Sequence, residues 1–143
     1  GLVSTLLNLS YQALQQENLL QVNSGALAEQ WVGQALLHSL APHEKPFLHY
    51  WAREQRSSNA EVDYIIAGGG KVVPVEVKAG KSGSLKSLHV FLKEKNNDFA
   101  VRFNADLPSL MRASHQTADS VGLDYQLLSL PLYLAGECRR LVA

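Results

Sequence analysis

A chain of 143 residues, 46% hydrophobic and 18% charged, can bury one real core and has ordinary globular composition, which excludes a disordered or fibrous polypeptide. Its 13 basic and 13 acidic residues balance, so no chain-wide positive field draws it onto nucleic acid and any such contact must come from a local patch. One cysteine, Cys138, excludes an internal disulfide, and five scattered histidines give no local zinc spacing, so a reducing setting is expected.

No apolar run reaches the ~20 residues of a membrane span, and the leucine-rich start lacks the basic region and cleavage site of a signal peptide. A soluble, cytoplasmic protein with no membrane partner is expected. The start "GLVSTLL" has no Met and reads as a cut boundary, with Gly1 a tag remnant.

In chain order, "GLVSTLLNLSYQALQQENLL" has leucines at helical spacing with frequent polar interruptions, and reads as one or two short helices. Ser24 is a plausible N-cap for the next segment, in which Ala28, Trp31, Val32, Ala35 and Leu36 form the stripe of a helix packed on a core. Pro42 and Pro46 end it, and "FLHYWA" is apolar and aromatic enough for a first strand. "EVDYIIA", "GGG" and "KVVPVEVKAG" read as a hairpin, because glycines tolerate the positive φ of a tight turn. "SLKSLHVFLKEK" puts Leu85, Leu88 and Leu92 on one helical face, and "DFAVRF" is another strand. Beyond Pro108 the pattern is less regular, with a final strand in "YQLLSLPLYLAG" broken near Pro131 and placed at a sheet edge. This order implies an α/β sandwich around one mixed sheet.

A two-residue turn at Gly69 and Gly70 pairs Gly68 with Lys71, and counting outward sets Asp63 opposite Glu76 and Glu61 opposite Lys78. Alternation then puts these four polar residues on one face, and Val62, Tyr64, Ile66, Val73, Val75 and Val77 on the other. Two facing anions roughly 5 Å apart at Cβ are destabilising unless something neutralises them. A hard divalent cation, Mg²⁺ or Mn²⁺, suits such oxygen donors. Lys78, on the same face, could then hydrogen-bond a metal-bound water or stabilise charge on a phosphate oxygen. Glu29, at the edge of the helix stripe, is a further acid that reaches the sheet if that helix packs alongside. Each motif taken alone is commonly a solvated face, and a shifted turn would separate the carboxylates.

The series Glu29, Asp63, Glu76-Val77-Lys78 resembles the PD-(D/E)XK nuclease superfamily, whose restriction-endonuclease-like core is a mixed sheet flanked by helices. The segments "GALAEQWVGQAL", "YWAREQRSSNAEVDYIIAGGGKVVPVEVKAG", "SLKSLHVFL" and "PLYLAG" look like a C-terminal domain of unknown function in bacterial and archaeal AAA+ ATPases. The resemblance implies Asp63 and Glu76 as metal ligands, the Val77 carbonyl as a further ligand, Lys78 as the catalytic lysine and Glu29 as an accessory acid. It also implies residues 24–143 as the nuclease-like domain and residues 1–23 as a helical segment joining it to an upstream ATPase module with a winged-helix segment. Val62 stands where the superfamily's motif has Pro.

Between Lys71 and Lys95, six lysines stand against Glu76 and Glu94. Lys86 and Lys93, seven apart on one helix, with Lys81 and Ser82 before them, are candidate phosphate contacts, and a plain solvated face is the alternative. His89 and His115 are expected to be structural, and Trp31, Tyr50 and Trp51 to pack in the core rather than stack on bases. Gly68 to Gly70 lack the phosphate-loop pattern, so the chain should not bind ATP by itself. Two functions are therefore expected: a metal-dependent nuclease, or a non-catalytic docking or regulatory module of an ATPase retaining that fold.

Overall fold

In the computed structural model residues 24–54, 59–80, 83–116 and 122–143 are described, and the helical expectation for residues 1–23 lies outside them. Helix α1 (Ser24–His38) leads into strands β1 (His49–Arg53), β2 (Ala60–Gly68) and β3 (Lys71–Val77). Helix α2 (Lys86–Glu94), strands β4 (Phe99–Asn104), β5 (Ser109–Gln116) and β6 (Gly122–Pro131), a 3-10 turn (Leu132–Glu137) and helix α3 (Cys138–Leu141) follow. The strands form one six-stranded mixed sheet of order β1-β2-β3-β4-β6-β5, parallel at β3–β4 and β4–β6 and antiparallel elsewhere. Among the described residues no helix is long and apolar enough to cross a membrane.

Two cores sandwich the sheet. Ala28, Val32 and Leu36 of α1 pack with Val73, Val75 and Val77 of β3, Val101 and Phe103 of β4 and Leu130 of β6. On the other face Leu88, Phe91 and Leu92 of α2 pack with Val62, Ala100, Tyr125 and Leu127. Alternation makes this possible, since Leu127 and Leu128, neighbours in one strand, serve opposite cores. Each fully buried aliphatic side chain contributes about 1.5–3 kcal/mol of transfer free energy.

The hairpin forms as its glycines dictate: Gly69 and Gly70 have φ of 56° and 75°, and the ladder runs from Gly68–Lys71 to Tyr64–Val75. The partner on the other side of β2 breaks its alternation. From His49–Ile65 to Trp51–Val62 the β1 chain advances two residues while β2 advances three, which is a bulge in β2. Val62 therefore packs on the α2 side with Ile65, while Tyr64 and Ile66 pack on the α1 side, so the single apolar face expected for β2 is split.

Other expectations are corrected at the surface. Strand β5 gave no signal because seven of its eight residues are exposed and its side chains do not alternate in polarity. Its presence makes β5 the sheet edge and puts β6 inside, between β4 and β5. Trp31 and Tyr50 are 60% and 67% exposed, so neither is core; Trp51 does pack, edge-on to Phe91 with ring centroids 5.3 Å apart.

Candidate metal and phosphate site

The site forms where β3 ends. Val75 and Val77 point into the α1-side core, so Glu76 between them points to the opposite face, and Lys78 follows the strand's last residue. Glu76 is only 4% exposed, and Lys78 Nζ meets its Oε1 at 2.6 Å. The other oxygen, Glu76 Oε2, is buried with no hydrogen-bond partner among the described residues. Lys78 is held in place by its amide, which donates to the Phe103 carbonyl at 2.8 Å, and by Gly83, where a Cβ would come within 2.7 Å of Lys78 Cδ. The expected cross-strand pair of Glu61 with Lys78 is replaced: Lys78 turns to Glu76, and Glu61 lies opposite Ala52 of β1.

Asp63 sits at the bulge of β2. Continuing the hairpin register would set it against Glu76, as expected, but the β2–β3 ladder ends one pair earlier. There Asp63 Oδ2 accepts a hydrogen bond from the Val77 amide at 2.7 Å, so the aspartate side chain takes over from the backbone as the acceptor for β3. Glu29 comes from α1, next to buried Ala28. Its main-chain carbonyl accepts a hydrogen bond from the Tyr64 hydroxyl at 2.9 Å. Gly33 permits that approach, because a Cβ there would lie 2.7 Å from Tyr64 Oη.

The four expected residues thus share one electrostatic neighbourhood: Glu76 and Lys78 each feel the charges of the other three, Glu29 feels Asp63 and Lys78, and Asp63 feels Lys78. Burial raises the Glu76 carboxyl, and the Lys78 hydrogen bond only partly offsets this, so with the Asp63 and Glu29 charges added it is pushed up to about 7. Burial also raises Asp63, against the opposing pull of the Val77 amide and Lys78. Glu29 is raised by burial and then by the Asp63 charge. Burial alone would lower Lys78, but its bond to Glu76 and the three surrounding carboxylates outweigh that and hold it above the ordinary lysine value. Lys78 is therefore an ammonium at neutral pH, suited to stabilising negative charge and unsuited to act as a base.

Among the described residues no three His, Cys, Asp or Glu side chains are arranged to hold a metal ion together. The donors present are those of a smaller set, the two carboxylates Asp63 and Glu76 beside the Val77 backbone. Their chemistry fits a hard divalent cation: three acids crowd one ammonium, and a buried carboxylate oxygen lacks a partner.

Of the expected phosphate contacts, Lys81 and Ser82 lie outside the described residues. Lys86 opens α2 and Lys93 stands in its last turn, both exposed. His89 has placed partners: Nε2 lies 2.9 Å from Tyr125 Oη, and its ring stacks on His115 at 4.0 Å. Sequence reasoning missed Tyr64, whose role depends on how α1 docks; the available signal was Gly33, a glycine inside a helix that costs about 1 kcal/mol relative to alanine unless close packing requires it.

No curated protein matches the chain. The family model for the Domain of unknown function (DUF4143) matches residues 24–130, a span that takes in α1, the hairpin with Asp63 and Glu76, Lys78 and the sheet through β6, and the chain belongs to that family.

Proposed function

We propose that this domain is a metal-dependent phosphodiesterase of the PD-(D/E)XK, restriction-endonuclease-like class, acting on DNA or RNA as the cytoplasmic C-terminal domain of an AAA+ ATPase. The observation that carries the reading is that Glu76 and Lys78 each feel the charges of Glu29, Asp63 and one another around a buried, unpartnered carboxylate oxygen. Asp63 and Glu76 would hold Mg²⁺ or Mn²⁺, with the Val77 carbonyl as a further donor. Such an ion supplies Lewis acidity and lowers the pKa of bound water. Lys78, as an ammonium, stabilises charge developing on a phosphate oxygen, and Glu29 is the accessory acid at the margin.

The test is incubation of the domain with single- and double-stranded DNA and RNA plus Mg²⁺ or Mn²⁺, beside Asp63→Ala and Lys78→Ala. Cleavage abolished by both substitutions is expected. Calorimetric titration should show Lys78→Ala still binding the ion and Asp63→Ala losing it.

A second reading is a non-catalytic docking module of the same ATPase. It is favoured by the zero net charge and by exposed apolar side chains at Leu107, Leu110 and Tyr133. Cleavage unaffected by either substitution would mark a contaminating enzyme and leave this reading ahead.

A further inference from the structure

Three carboxylates crowd one ammonium at the end of β3, so a divalent ion there would only cancel the excess of anions and leave no positive charge to hold the phosphates of a bound strand. If the domain acts on nucleic acid, a further cation must stand beside that centre, and Arg102 has the position for it. Val101 and Phe103 of β4 point into the α1-side core, as Val75 and Val77 of β3 do, so Arg102 and Glu76 both point to the opposite face. Glu76, Arg102 and Ser129 are register partners across the parallel strands β3, β4 and β6, a single row whose neighbours stand ~4.8 Å apart. The row crosses the sheet near the carboxyl ends of these strands, the end at which open α/β sheets bind their ligands.

Within the row the arginine does not pair with the glutamate beside it. Glu76 Oε1 is taken by Lys78 and Oε2 has no partner, while Arg102 turns toward β6, where its Nη2 donates to the Ser129 hydroxyl at 2.9 Å. Ser129 is itself buried, which fixes that anchor. Arg102 Nε is buried with no hydrogen-bond partner, and among the described residues no carboxylate lies within ion-pair distance of the guanidinium. A buried donor left unpaired costs about 1–3 kcal/mol, and more when it is charged. A half-buried guanidinium anchored by one hydroxyl therefore fits an anion that the chain does not itself supply, and its planar fork matches a phosphate better than an ammonium would. We infer that Arg102 is a phosphate contact of the candidate site, holding the phosphodiester that adjoins the one at Asp63 and Glu76. The inference rests on the nuclease reading and adds a substrate contact to that same site, one strand further across the sheet.

The test uses Lys78→Ala, in which cleavage should be absent and ion binding retained, as the background. Binding of fluorescein-labelled single strands of DNA and RNA in Mg²⁺ is read by anisotropy over a range of salt concentrations. Adding Arg102→Leu should weaken binding roughly tenfold or more, the loss of a charge-assisted hydrogen bond, and flatten the dependence of log affinity on log salt by about 0.7, the value for one phosphate contact on a single strand. Arg102→Lys should keep the slope and lose only part of the affinity, because it keeps the charge without the fork. A residue that merely joined β4 to β6 would leave the slope where it was. Calorimetry should show Mg²⁺ bound at least as tightly after Arg102→Leu, since a nearby cation has gone, and circular dichroism checks that both variants fold. An unchanged slope in Arg102→Leu would overturn the inference, as would loss of Mg²⁺ binding, which would make Arg102 a support of the ion site. Binding of neither strand by the background protein would overturn it too, and cleavage by the wild type then decides the nuclease reading separately. The expected slopes beside a wild type that never cleaves would sink the nuclease reading alone.

Discussion

The Val77 amide donates to the Asp63 carboxylate at 2.7 Å, so a side chain of β2 closes the β2–β3 ladder where the bulge has moved the backbone out of register. The bond ties the position of one candidate ligand to the backbone that carries the other. Asp63→Ala removes the acceptor and leaves a half-buried amide unpaired, which costs about 1–3 kcal/mol. Asp63→Asn keeps an acceptor and should lose less than half as much in urea denaturation. Both substitutions remove a charge that raises Glu76, so the Glu76 carboxyl should titrate below its wild-type value of about 7 by NMR. Wild-type stability in Asp63→Ala would show that the bond does not hold the strands.

The pH dependence of stability should carry the signature of Glu76. Its carboxyl is pushed up to about 7 in the folded protein from an ordinary value of 4.5, so the native state binds this proton more tightly than the unfolded chain. A raised carboxyl therefore costs nothing below its unfolded value, penalises the fold increasingly as the pH climbs to the folded value, and costs a constant amount above it. At 1.36 kcal/mol per unit the full penalty is roughly 3 kcal/mol. In EDTA, wild type should therefore lose stability relative to Glu76→Gln between pH 4.5 and 7 and run parallel to it above. Mg²⁺ or Mn²⁺ should shrink the gap by favouring the ionised carboxylate. A pH-independent gap between the two proteins would contradict the assignment.

The hairpin was legible because its information is local. Two adjacent glycines set a two-residue turn, and the turn sets the register of every pair out to Tyr64–Val75. What lay beyond was hidden for a different reason. The bulge that turns Val62 to the α2 side is made by pairing with β1, a partner that spacing within β2 does not reveal. Glu76 likewise looked like half of an open charged face, whereas the assembled fold leaves it 4% exposed, and that burial raises its pKa. Strand β5 was invisible because one edge and two wet faces impose no alternation.

Tyr64 is expected to position Glu29 through the main chain. Its hydroxyl bonds the Glu29 carbonyl at 2.9 Å, and Tyr64→Phe should cost about 0.5–1.5 kcal/mol. Gly33→Ala would ordinarily stabilise a helix by about 1 kcal/mol, but here the new Cβ meets Tyr64 Oη at 2.7 Å, so the substitution should destabilise. Removing the hydroxyl relieves the closest of these contacts and leaves Tyr64 Cζ at 3.1 Å and Leu48 Cδ1 at 3.2 Å. The two changes should therefore be non-additive, with Gly33→Ala costing less in a Tyr64→Phe background, and a double-mutant cycle by chemical denaturation reads the coupling directly. Additive losses would mean that helix and tyrosine do not meet as described.

The C-terminus is pinned at the other end of the same hairpin. A Cβ on Gly68 would collide with Val142 Cγ2 and lie 2.8 Å from the Val142 carbonyl oxygen, so this glycine is required by close approach and not by a left-handed φ. Val142 follows α3, whose Cys138 is fully buried, with its thiol pushed up to about 12 by burial against the opposing charge of Arg139. A buried thiol of that kind is nearly inert, because the thiolate is the reactive form. Gly68→Ala should cost about 1–3 kcal/mol by overpacking. The strain should be relieved by displacing residues 138–143, since Val142→Ala could remove the clash with the side chain but not the one with the carbonyl. Cys138 is the chain's one cysteine, so the rate of its reaction with a thiol reagent isolates this event. Faster labelling in Gly68→Ala at a denaturant concentration where the rest of the domain stays folded is the expected result. Labelling as slow as in wild type would show that the hairpin turn and the C-terminal helix do not pack together.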